Sequence, residues 1–207
     1  MAGRPSRPSS LILTRRSRCT CSPSTAGRRS WHSAPCAPCA ESDADGAHGA
    51  GNDGKLTSSQ LQAIARVRQA TAKFHDIEAA KAAGYTNQYP PGCAVSPEGE
   101  GAQAFHYLNP GLVDAKVELL RPELVMYEPQ RDGSLQLIGV DYVVPFDVWK
   151  SNEPPTLLGV PFMRNEPLGV WALHIWAWRP NPSGMFAAWN PKVSCRYASA
   201  VSAVVQP

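Results

Sequence analysis

Two histidines and two carboxylates sit in strand-like runs whose in-phase neighbours are apolar. In Gln103–Leu108, His106 alternates in phase with Ala104 and Leu108. In Trp171–Trp178, His174 is in phase with Ala172, Trp176 and Trp178. Glu128 shares a phase with Leu124 and Met126 in Glu123–Glu128, and Asp141 with Leu137 and Val143 in Leu135–Val144. An imidazole or carboxylate buried without a partner is costly, and the economical solution is that these groups meet. Two imidazoles and a carboxylate on neighbouring strands are donors for a divalent metal with open coordination positions. The expected centre is His106, His174 and Glu128, with Asp141 or His75 as a fourth ligand or base. An ion held this way could activate water for hydrolysis or oxygen for oxidation, and no residue chooses between them. The competing expectation is a buried hydrogen-bond network, or histidines capped by tyrosine hydroxyls, with no metal.

A second feature is aromatic. Trp171, Trp176, Trp178 and Trp189 crowd one region, with Phe186 beside them. They predict either a flat stacking surface for a sugar or small apolar ligand, in a non-catalytic binding module, or a core built from large residues. Other chemistries have weaker support. There is no G-x-S-x-G elbow and no H-E-x-x-H. The run Gly49–Leu56 nearly makes a phosphate loop, but it puts Leu56 where Ser or Thr should hold magnesium, and no strand precedes it. A Cys93 nucleophile with His106 as its base is a further arrangement.

The elements that must position these groups begin near residue 57. Thr57, Ser58 and Ser59 are N-cap candidates, and helix-forming sequence follows to about Ala83, closed by Gly84. Leu61, Ile64, Val67, Phe74 and Ile77 recur at helical spacing, which places His75 on the face of Ile64 with Glu78 one turn on. Four strand-like runs follow, the four named above, with a short fifth over Met185–Trp189. Asn181-Pro182-Ser183-Gly184 fits a type I turn. One helix followed by several short strands predicts an α+β fold: one N-terminal amphipathic helix, then an antiparallel sheet or small barrel.

Composition narrows the function further. The 207 residues suffice for one domain plus a tail, and no apolar run approaches the ~20 residues of a membrane span. The net charge of +3 is misleading. Residues 1–40 carry seven arginines and no acid, whereas residues 41–207 carry 13 basic and 17 acidic groups. A domain that tracks nucleic acid should carry its positive excess on the folded part, so a nucleic-acid partner is not expected, while a small-molecule partner is compatible. Residues 1–56 read as a disordered leader, or as sequence upstream of the native start, before a single domain over 57–207. The leader holds C-x-C and C-x-x-C pairs at Cys19, Cys21, Cys36 and Cys39, only the second with zinc-knuckle spacing. Cys93 and Cys195 flank most of the folded part. In an oxidising compartment they would form a staple, and otherwise two free buried thiols.

Residues from about 70 to 195 resemble a group of small bacterial proteins that usually carry an export signal and have no known activity. The resemblance rests on Phe74-His75-Asp76, on FHYLNP at 105–110, on RPELVMYEP at 121–129, on GVDYVVP at 139–145 and above all on WALHIWAWRPNPSGMFAAWNPKVSC at 171–195. It implies an extracytoplasmic or secreted location, which would favour Cys93–Cys195 pairing.

Overall fold

The computed structural model describes residues 55–204, so all but the last two residues of the expected leader, its four cysteines included, lie outside the described residues. Helix α1 spans Ser58–Thr71. Thr57 caps it: its hydroxyl accepts from the Gln60 amide, and the Gln60 side chain accepts from the Thr57 amide in return. The helix does not run on to Ala83. A 3-10 turn over Ala72–His75 follows, and Asp76 caps a second short helix, α2 (Ile77–Ala82), by accepting from the Glu78 amide. Ile64 and Val67 of α1 are buried and Leu61 is exposed; the tighter turn then shifts the angular phase, burying Phe74 and leaving His75 exposed.

The strands are β1 (Asn87–Gln88), β2 (Ala94–Val95), β3 (Ala102–Leu108), β4 (Leu124–Pro129), β5 (Leu135–Pro145), β6 (Thr156–Leu157), β7 (Val160–Pro161), β8 (Met163–Asn165) and β9 (Val170–Ile175). A last helix, α3, covers Ala198–Val204. Seven strands form one antiparallel sheet in the order β1-β3-β4-β5-β9-β8, with β2 also on β3, while β6 and β7 pair apart. The fold is α+β, and the sheet stays open rather than closing into a barrel. The segment Met185–Trp189 is not a strand. It runs as turns after the Asn181–Gly184 turn, whose Gly184 amide bonds the Asn181 carbonyl.

Both faces of the sheet are buried. One face carries Tyr107, Val125, Tyr127, Val140, Tyr142, Leu173 and Ile175 against Ile64, Val67 and Phe74 of the helical segment. The Tyr127 hydroxyl donates to the Phe74 carbonyl and fixes that segment to the sheet. The opposite face carries two smaller apolar clusters. Ala102, Ala104, Met126, Ile138, Trp176 and Val193 form one, and Leu124, Val143, Val170 and Ala172 the other.

Cys93 and Cys195, 102 positions apart in sequence, form a disulfide with Cα atoms 5.8 Å apart. The bond lies against the first of these clusters and ties the loop before β2 to the C-terminal segment. The buried Glu128 joins the same fastening. Its Oε1 accepts from the Ser194 amide at 3.0 Å and its Oε2 lies 3.6 Å from Arg179.

Candidate metal centre

Cross-strand register brings the site together. Leu108, Leu124, Asp141 and His174 form one row across β3, β4, β5 and β9. His106 pairs with Met126, which pairs with Gly139, one row further along. Cross-strand neighbours share a face, so His106, Asp141 and His174 all project to the face opposite the helices. They emerge between its two apolar clusters. Gly139 makes this row possible, because a Cβ there would stand 2.6 Å from both the Ile175 carbonyl oxygen and Met126 Cε.

The three residues are 2–5% exposed. Asp141 Oδ2 lies 3.5 Å from His174 Nε2 and 4.0 Å from His106 Nε2. One donor atom from each residue lies within 4.8 Å of the others, so the group could hold a metal ion. The imidazoles meet edge to face at 5.7 Å, and Trp176 stacks beside His174 at 6.3 Å. Neither distance to Asp141 is a hydrogen bond of ordinary length. Nδ1 of both histidines and Oδ1 of Asp141 are also buried with no hydrogen-bond partner among the described residues.

Burial dominates the electrostatics. It lowers His106 to about 4, with His174 adding to the effect and Asp141 and the Ala104 backbone opposing it. It lowers His174 to about 4. It raises Asp141 to about 7 against the stabilising influence of His106 and the Tyr142 and Leu173 backbone. Near neutral pH both imidazoles are therefore uncharged, with a lone pair free for coordination.

The carboxylate of the group is Asp141, not Glu128. Glu128 shares a face with Met126 but is engaged by Ser194 and Arg179. His75 is also absent from the group, because it is exposed and packs edge-on to Trp178 at 4.4 Å.

The tryptophans do not make a flat surface. Trp176 is 1% exposed, and its Nε1 donates to the Ala187 carbonyl. Trp178 turns to the helix side, where its Nε1 donates to Thr71. Trp171 faces away from His174, against Phe146, and Trp189 is half-buried in the turns that follow β9. Strand alternation fails for Trp178 because β9 ends at Ile175. The Trp178 and Arg179 amides both bond the Ile138 carbonyl. Ile138 is itself an extra residue in β5, since Tyr127 pairs with Leu137 and Met126 with Gly139. The same bulge puts Leu137 on the helix side rather than in phase with Asp141.

A cleft of about 20 Å³, room for a single water or ion, opens onto the three side chains. Tyr89, Gln103 and Asn165 also line it. Sequence reasoning missed these three. Tyr89 and Asn165 lie on turn-rich or very short elements, where no alternation signals a face. Gln103 carries the wrong phase.

Comparison with family models, characterised proteins and solved structures finds no match to this chain.

Proposed function

We propose that this protein binds one divalent metal ion through His106 Nε2, His174 Nε2 and Asp141 Oδ2. The observation that carries this reading is the convergence of three buried lone-pair donors at separations too long for hydrogen bonds to one another. A shared ion satisfies all three at once. In a tetrahedral site with bonds of about 2.0–2.1 Å the ligand atoms stand roughly 3.3 Å apart, so donors now 3.5 and 4.0 Å apart, and all within 4.8 Å, would draw inward on an ion. A hydrogen-bonded triad without metal would instead draw at least one imidazole to within about 3 Å of the carboxylate.

Two nitrogens and one oxygen suit zinc, iron or manganese better than calcium or magnesium. With three protein ligands and a cleft beside them, the ion keeps a position open for water. Metal-assisted hydrolysis or oxidation is the reaction class this supports. The Cys93–Cys195 disulfide and the resemblance to exported proteins support a location outside the cytoplasm.

The test is metal content by plasma mass spectrometry on the untagged full chain, grown with metals supplied and purified without chelator. It is run beside a His106→Ala/His174→Ala variant. Near one metal per chain in the parent and none in the variant supports the site. A well-folded parent that carries no metal, and takes up none of zinc, manganese or iron(II) on dialysis, sinks it.

A further inference from the structure

The cleft beside the three donors is also lined by Gln103, whose side-chain amide carries a further oxygen. β3 does not keep strict alternation. Ala94 pairs with Ala104 and Val95 with Ala102, so Gln103 is an extra residue opposite β2. Ala104 sits at φ +63°, the left-handed region that costs an L-residue about 1–2 kcal/mol. The Ala104 methyl is fully buried in the apolar cluster with Met126 and Trp176, which fixes the residue there despite the strain.

The kink has a consequence for the residue before it. In a regular strand Gln103 would point with Phe105 toward the helices. Instead it lines the same cleft as His106, three residues on. Bulges that re-aim one side chain recur beside functional sites. The amide is also oriented. Gln103 Nε2 donates to the Ala188 carbonyl at 3.0 Å. Its Oε1 accepts nothing among the described residues. An amide carbonyl is a competent oxygen ligand, and it adds no charge to a buried site.

The geometry points to Gln103 as a fourth protein ligand, its Oε1 completing a set with His106, His174 and Asp141. This rests on the metal reading above. It makes the ligand set two nitrogens and two oxygens, and the water named above then takes a fifth position, as catalytic zinc sites allow.

Two substitutions separate a ligand from a structural residue. Gln103→Leu and Gln103→Glu both lose the amide donor to Ala188, so a purely structural role changes them alike. Only Gln103→Glu keeps an oxygen to offer the ion. Full-length parent and variants are titrated with cobalt(II), and affinity and visible absorption are read together. The expected result is a Kd raised at least tenfold in Gln103→Leu, with an altered ligand-field spectrum, and parent-like or tighter binding in Gln103→Glu. Equal affinity and identical spectra in parent and Gln103→Leu overturn the assignment while leaving the three-residue site intact. Equal loss in both variants overturns it as well, in favour of a role through Ala188. A parent that binds no cobalt overturns both readings.

Discussion

Asp141 and His174 are direct cross-strand partners on β5 and β9, and the Asp141 carboxylate lies 3.5 Å from the His174 imidazole. The pairing puts an acid that burial holds protonated up to about pH 7 beside a base that burial holds neutral down to about pH 4. Without a cation, an ionised Asp141 has too little to offset its burial, and this makes the residue informative. Asp141→Asn is expected to abolish metal uptake and, at pH 8, to raise the melting temperature of the metal-free protein. An isosteric amide removes a buried charge without leaving a cavity. A metal-free variant that melts below the parent at pH 8 would contradict this.

The same groups set the pH dependence of metal-free stability. His106 and His174 fall from an ordinary 6.5 to about 4, so below 6.5 they favour the folded state more as pH rises. Asp141 rises from 3.8 to about 7, and buried Glu123, which accepts from the Val143 amide, rises from 4.5 to about 8. Each favours the folded state less as pH rises through that interval. The four contributions oppose one another between about pH 4.5 and 6.5, where stability is expected to be nearly flat. Above 6.5 the imidazoles are neutral in both states and only the carboxyls still titrate, so stability falls toward pH 8. Bound metal holds Asp141 ionised and removes that part of the decline. Thermal melts at half-unit pH intervals, with and without zinc, check both halves.

Glu128 and Asp141 give opposite outcomes. Glu128→Gln is expected to leave metal stoichiometry unchanged while costing about 1–2 kcal/mol through weaker bonds to Ser194 and Arg179. Urea denaturation and metal analysis on one preparation separate the two effects. Loss of metal in this variant would restore Glu128 as a ligand.

The Cys93–Cys195 bond closes a loop of about a hundred residues, worth roughly 4–5 kcal/mol in the chain-entropy model. It also fastens the C-terminal segment over the face that bears the site. A Cys93→Ser/Cys195→Ser variant should unfold at clearly lower urea and bind metal more weakly. Reductant should lower the parent's midpoint and leave the variant's unchanged.

Gly139→Ala probes the packing beneath the site. The new methyl would press on the Ile175 backbone and Met126, with an expected cost of about 1–3 kcal/mol. Because His106 lies in the same row, metal affinity should fall with stability. A variant as stable as the parent would show that the sheet can open there without cost.

The sequence by itself determined the class of fold and the kinds of residue at the site. Alternation in β3 and β9 placed His106 and His174 on inward faces, and the turn signals bounded four long strands to within a residue or a few. It could not determine which carboxylate joins them. Glu128 and Asp141 read alike along their own strands. What separates them is register across β4 and β5, together with the Ser194 and Arg179 partners that engage Glu128 from far away in sequence. Local phase also failed wherever the backbone left its regular period. The 3-10 turn at Ala72–His75 turned His75 outward, and the Ile138 bulge moved Leu137. The end of β9 released Trp178 to the helix side, and the left-handed Ala104 accompanies the turn of Gln103 into the cleft. Periodicity is a property of neighbouring residues, and the chain carries it openly. Bulges, register and the pairing of distant side chains are settled by packing between elements, and only the tertiary structure decides them.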